Sequence, residues 1–241
     1  ICCFYILFIG IQAIYFIDVL GGSLPADFTY SEYARRGFFE LLAVALINIV
    51  FIAVAKIFSV KNENNKYLRI HIILNSILTL ALISVDFAKM YLYISTYGLT
   101  TLRIIPSVFM IFLCFVFAFI IMGEFKKSFP VTKLSFYAGN ILFVLLCLAN
   151  IDAVVAGYNL NAYMNGNLPY YDIYDLRESD MAAMPIIYKA WKNSSDKELK
   201  DKLHFCAEGI MGYYSFDIDE PISYNYSRNK AFEIKKHMNL N

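Results

Sequence analysis

Five apolar runs, each long enough to cross a hydrocarbon layer of about 30 Å as a helix of roughly 20 residues, constrain this chain more than any other feature. They cover Ile1–Leu20, Gly37–Phe58, Ile70–Tyr93, Ile104–Met122 and Leu134–Val155. A chain with such runs hides its backbone polar groups inside helices, because lipid offers them no partner. The expected fold is therefore all-α: a polytopic membrane bundle. Hydrophobic residues make up 59% of the 241 positions, against about 45–50% in soluble chains. The charge is unevenly spread: residues 1–156 hold 19 charged side chains, and residues 157–241 hold 22 in only 85 positions. The division predicts a transmembrane bundle over 1–156 and a small helical domain outside the cytoplasm over 157–241. A net charge of +1 gives no pull toward nucleic acid. Four of the five cysteines lie inside apolar runs, which is not a disulfide framework.

The chain opens at Ile1 within an apolar run, without a basic leader. No signal peptide is expected there, and the chain reads as the C-terminal piece of a longer protein with further spans upstream. The connections carry helix-boundary chemistry. Thr29 and Glu32 have capping-box spacing, and Gly98 is placed to end the third helix in the left-handed region. Thr100 or Thr101 is expected to cap the fourth helix, with Pro106 in its first turn.

Lys56, Lys61, Lys66 and Arg69 flank one connection, and Lys126, Lys127 and Lys133 flank another. The opposite side has only Arg35, Arg36 and Arg103. Basic loops stay cytoplasmic, so five spans leave residues 157–241 on the other side. With that topology, Arg36, Glu40, Asp86, Lys89, Arg103, Asn150 and Asp152 collect near one depth, together with Asp18. At the cytoplasmic ends the charges are expected to stay in the loops. His71, Asn75, Thr79, Leu82, Asp86, Lys89 and Tyr93 recur at steps of three and four, which makes one helical stripe. Such a stripe turns toward protein or water, since a charge in lipid costs at least about 2.5–3.5 kcal/mol. The leading expectation is mutual pairing that locks the bundle, with Asp86 and Lys89 as one pair. The alternative is an outward pocket for an ion, a headgroup or a small polar solute.

Several blocks along the chain resemble a bacterial family. They are Ile11-Gln12 with Tyr15-Phe16, Leu24-Pro25, and the long run Tyr30-Ser31-Glu32-Tyr33-Ala34-Arg35-Arg36-Gly37-Phe38-Phe39-Glu40-Leu41. Further on stand Tyr97-Gly98-Leu99-Thr100 with Leu102-Arg103, Asn150-Ile151-Asp152 with Ala156 and Tyr158-Asn159, and Ser227-Arg228 with Ala231. Together they resemble the family catalogued as domain of unknown function 4173, a relative of 4153. The resemblance implies a multi-pass membrane protein, longer at its N-terminus, with no settled activity. Ile151 stands where that family usually has Pro, so a kink there is not implied for this chain. The motif positions include Glu40, Arg103 and Asp152.

The tail reads as helices. Met181, Met184, Tyr188 and Trp191 form one apolar stripe, and Leu199, Leu203, Cys206 and Ile210 another. Ser195 and Glu198 suggest a capping box between them, and Pro185 delays or bends the first helix. A last helix follows Ser227. Asp217, Asp219 and Glu220 offer oxygen ligands, but without calcium-loop spacing they read as a solvated acidic turn and only a weak metal candidate. His71, His204 and His237 lack ligand spacing, and Cys206 reads as core. Neither a nucleophile elbow nor a phosphate loop occurs. No cofactor is expected. The expected partners are the lipid bilayer and either upstream spans or another membrane protein, with no nucleic acid. A non-enzymatic envelope sensor, scaffold or regulator is the leading expectation, a transporter the second, and a membrane enzyme acting on lipid-linked or glycan substrates the third.

Overall fold

The structure, a computed structural model, describes residues 10, 30–58, 66–126, 128–168, 171–213 and 226–240. Among these the fold is all-α and contains no strand. The helices are α1 (Tyr30–Phe58), α2 (Lys66–Tyr97), α3 (Thr101–Phe125), α4 (Val131–Leu148), α5 (Ile151–Met164), α6 (Met184–Asn193), α7 (Lys197–Tyr213) and α8 (Tyr226–Met238). Two 3-10 turns, Ile173–Glu178 and Met181–Ala183, join α5 to α6. The apolar run at Ile1–Leu20, Asp18 and the Thr29 half of the first capping box lie outside the described residues.

Four helices are long and apolar enough to cross a membrane: Arg35–Phe58 within α1, then α2, α3 and α4. The fifth apolar run is not one helix. The helix ends at Leu148, and a new one begins at Ile151. At about 1.5 Å per residue the 14 residues of α5 reach only about 21 Å, short of the bilayer. Asn150 and Asp152 therefore open a helix outside the spans instead of closing one.

The chain divides into two compact units. One ends at Ile94 and takes in Leu102–Leu145; the other combines Ser95–Thr101 with Leu146–Asn241.

The first unit inverts the usual order of a soluble protein. One face of α1 buries Leu41, Ala45, Asn48 and Ile52, at helical steps of four and three. α2 contributes Ile72, Leu82, Ile83 and Met90, and α3 contributes Met110, Leu113, Phe117 and Ile120. Among these apolar side chains six polar ones are also buried: Asn48, Asn75, Ser76, Thr79, Asp86 and Lys89. The outside carries Phe39, Ile47, Val50, Ile57, Ile77 and Leu102, all at least half exposed. α4 buries no residue. An apolar exterior around a polar-bearing interior is stable only where lipid replaces water, because lipid gives apolar side chains no reason to turn inward.

Two boundary expectations gain detail here. Gly98 follows the last residue of α2 with φ +84°, the left-handed cap that glycine enters without a Cβ clash. Pro106 is the sixth residue of α3, beyond the first turn where it was expected. Its ring thus removes the N–H that would bond the Leu102 carbonyl. The next residue, Ser107, donates from its Oγ to the Arg103 carbonyl at 2.8 Å.

The second unit has an ordinary apolar core. α5 supplies Ala156 and Leu160, the 3-10 turns Ile173, Leu176 and Met181, α6 Met184 and Ile187, α7 Leu203, Cys206 and Ile210, and α8 Ala231, Ile234 and Met238. Pro185 stands in the first turn of α6, where its missing N–H had no partner to lose. The cap of α7 falls one residue later than Ser195: the Asp196 carboxylate accepts from the Glu198 N–H at 3.0 Å. α5 and α8 end alike. Gly166 (φ +71°) and Asn239 (φ +54°) take the left-handed position. The next N–H then donates back across the last turn, Asn167 to Ala162 O at 2.9 Å and Leu240 to Lys235 O at 3.2 Å, as in a Schellman closure.

Candidate functional site

The polar stripe of α2 follows directly from its spacing. Asn75, Thr79, Leu82, Asp86 and Lys89 are all buried, whereas His71, at the start of the same stripe, is exposed. Lys89 Nζ lies 2.9 Å from Asp86 Oδ1, with side chains only 2% and 10% exposed. One turn apart on one helix, the two charges neutralise each other in a place water does not reach.

The neighbouring helix makes room for this pair. A Cβ on Gly37 of α1 would come 2.8 Å from Asp86 Oδ1 and 3.1 Å from Lys89 Nζ. The absence of a side chain at 37 is thus what lets the ion pair seat against α1. One turn on, Arg36 Nε donates to Glu40 Oε1 at 2.9 Å on the more exposed side of α1. Arg103 lies with its guanidinium 3.9 Å from the centroid of the Tyr93 ring, a cation–π stack between α3 and α2.

A second polar group joins Asn75 and Thr79 of that stripe to Asn48 of α1, the one member not read from the sequence. Asn48 of α1 donates to Thr79 Oγ1 at 2.7 Å and accepts from Asn75 Nδ2 at 3.2 Å. Thr79 Oγ1 donates to the Asn75 carbonyl at 2.8 Å. Because that hydroxyl hydrogen is committed, Asn48 must present its N–H to Thr79 and its oxygen to Asn75. Among the described residues, Asn75 Oδ1 is left buried with no hydrogen-bond partner. The signal for Asn48 was available, as the one amide in an otherwise apolar run. A third contact amends the expectation that charges at the cytoplasmic ends stay in the loops. Lys56 Nζ reaches Glu124 Oε1 at 2.6 Å, with the Glu124 side chain only 12% exposed, and Arg69 lies over Phe125 at 5.1 Å.

Asn150 and Asp152 belong to the second unit. Asn150 is exposed, while Asp152 is partly covered at the start of α5. Burial, and then the charge of Asp180, hold the Asp152 carboxyl above the ordinary carboxylate range.

Two sequence blocks sixty residues apart meet inside this unit. Asn159 of α5 donates from Nδ2 to the Leu99 carbonyl at 2.9 Å and accepts at Oδ1 from the Leu99 N–H at 2.6 Å. A side-chain amide here pairs with both polar groups of one residue, as a neighbouring strand would. Gly98 is indispensable to it, since a Cβ there would stand 2.8 Å from Asn159 Oδ1. Tyr171 packs on the same spot; burial, and then the nearby Asp175, push its hydroxyl pKa up.

Asp217, Asp219 and Glu220 lie outside the described residues. Among the described residues no cluster of three His, Cys, Asp or Glu side chains could hold a metal ion. Cys206 is fully buried and donates to the Ile173 carbonyl at 3.4 Å. Burial raises its thiol pKa to about 11, which keeps it protonated and unreactive.

An apolar exterior, paired interior charges and four helices of membrane-spanning length define an all-α membrane protein. Within that class the chain belongs to the family described as Domain of unknown function (DUF4153), whose model matches residues 1–190. This is the relative of the family that the sequence blocks resembled. No curated protein and no solved structure matches the chain.

Proposed function

We propose that this chain is a multi-pass protein of a bacterial plasma membrane, with residues 157–241 outside the cytoplasm, and that it acts without catalysis as an envelope sensor, scaffold or regulator. The observation that carries this reading is the pairing of the charges: Asp86 with Lys89 at 2.9 Å and Arg36 with Glu40 at 2.9 Å. Charges neutralised by neighbours on their own helix are satisfied without a ligand, and this leaves the second unit, with its own core, to meet partners. The excess of Lys around the two basic connections supports the orientation. The bilayer is the first partner, with upstream spans or another membrane protein as the second.

The test neutralises the three carboxylates singly, following both folded protein in detergent and the resistance of cells to osmotic and detergent stress. Asp86→Asn removes the carboxylate that lies against the buried Lys89, and breaking a buried pair costs about 3–5 kcal/mol, so folded protein falls. Replacing Asp86 and Lys89 together by Leu restores it. Glu40→Gln and Asp152→Asn fold and keep the phenotype. A variant that folds normally yet loses the phenotype would instead mark the layer as a working site. For orientation, a C-terminal alkaline phosphatase fusion is expected to be active and a fluorescent-protein fusion dark; the reverse pattern overturns the topology.

A transporter is the second reading, and the buried Asn48–Asn75–Thr79 group favours it. Buried neutral oxygens, one of them unpartnered among the described residues, suit a passing polar solute or ion better than a pure lock does.

A further inference from the structure

A cleft of about 810 Å³ opens in the second unit between the first 3-10 turn and α7, bordered by Arg177, Glu178, Ser179, Phe205, Glu208 and Gly209. Its size is that of a site for a small molecule. Arg177 is held in place across the helix. A Cβ on Gly209 would collide with its side-chain stem, so only glycine lets the stem lie there, and its guanidinium rests 5.1 Å from the Phe205 ring centroid. Phe205 is in turn braced edge-on by Tyr174 at 5.7 Å. Although two carboxylates border the same cleft, Arg177 forms no ion pair among the described residues; Glu208 lies 3.7 Å from His204 instead.

The chemistry of the lining narrows the ligand. A pinned guanidinium is a ready fork for a phosphate or carboxylate. A purely anionic ligand would also face Glu178 and Glu208, whose combined charge exceeds that of Arg177. A purely cationic ligand would meet the guanidinium. Only a molecule bearing both signs satisfies the border. We propose that this cleft binds a small zwitterion, its phosphate or carboxylate on Arg177 and its ammonium toward Glu178 and Glu208. The source is either an aminophospholipid headgroup or a free amino-acid-like solute. The site is independent of the paired layer in the first unit, and its test does not depend on the reading given for that layer.

The experiment titrates the purified full chain in detergent by calorimetry. The probes are glycerophosphoethanolamine, glycylglycine, the anion glycerophosphoglycerol and the cation ethanolamine. At least one zwitterion is expected to bind at least tenfold more tightly than either singly charged probe. Preference for glycerophosphoethanolamine identifies the headgroup, and preference for glycylglycine identifies the free solute. Arg177→Ala weakens binding tenfold or more. Gly209→Ala, which displaces the Arg177 stem without changing any charge, weakens it as well, while thermal unfolding shows both variants folded. If Gly209→Ala fails to fold, Arg177→Lys takes its place, since it keeps the charge and loses the fork. Absence of zwitterion binding, equal binding of the anion, or an Arg177→Ala variant that binds like the wild type each overturns the proposal.

Discussion

Gly37 shows how much one missing side chain does in this bundle. Helix interiors disfavour glycine by about 0.5–1 kcal/mol relative to alanine, yet α1 carries one where α2 presents its buried ion pair. Alanine at 37 gains that helical preference but presses on a pair that has little room to give. Overpacking costs about 1–3 kcal/mol, and a larger side chain costs more. Gly37→Ala is therefore expected to be mildly destabilising and Gly37→Leu severely so, as read by thermal unfolding in detergent. Unchanged stability of Gly37→Leu would mean that the pair does not seat against α1.

Asp152 sets a pH dependence in the second unit. Its carboxyl titrates above the ordinary range in the folded chain, because of burial and then of Asp180. The folded state therefore binds this proton more tightly than the unfolded one. Stability is greatest when the group is protonated and falls as pH rises from the ordinary carboxylate value of 3.8 through the raised folded value. Asp175 is shifted the same way, by burial and by Asp172 and Glu178. Thermal unfolding is expected to show the unit more stable near pH 4.5 than at pH 7, with Asp152→Asn reducing that slope. A steeper slope in the variant would contradict the assignment.

At the scale of elements, the α2 stripe was legible because its periodicity is a property of one helix: Asn75, Thr79, Asp86 and Lys89 fall on the buried face as their spacing requires. The break between α4 and α5 was not legible. Ala149-Asn150 is short and carries neither Gly nor Pro, so hydropathy runs through it without a mark. The Asn159 clasp was also invisible, since nothing in Asn159 or in Leu99 announces a partner sixty residues away. That clasp explains why Ser95–Thr101, the end of α2 with its connection to α3, belongs with the second unit. Removing the amide leaves both polar groups of Leu99 without their partners, at about 1–3 kcal/mol. Asn159→Ala is expected to lower the stability of that unit by this amount and to speed hydrogen exchange at the Leu99 amide. Protection of that amide equal to the wild type would sink the idea.

For the whole molecule, the amino-acid sequence by itself determined the class. Apolar runs of bilayer length must become helices, and a charged tail with helical stripes must fold around its own core; both follow from local hydropathy and period. The tertiary structure alone decided which polar groups meet. It set Asp86 and Lys89 against Gly37, joined Asn48 to Thr79 and Asn75, drew Glu124 to Lys56, and closed Asn159 on Leu99. The reason is physical. Burial acts on each segment separately and is written along the chain, whereas a hydrogen bond or ion pair between segments depends on a few tenths of an ångström that only the packed helices supply.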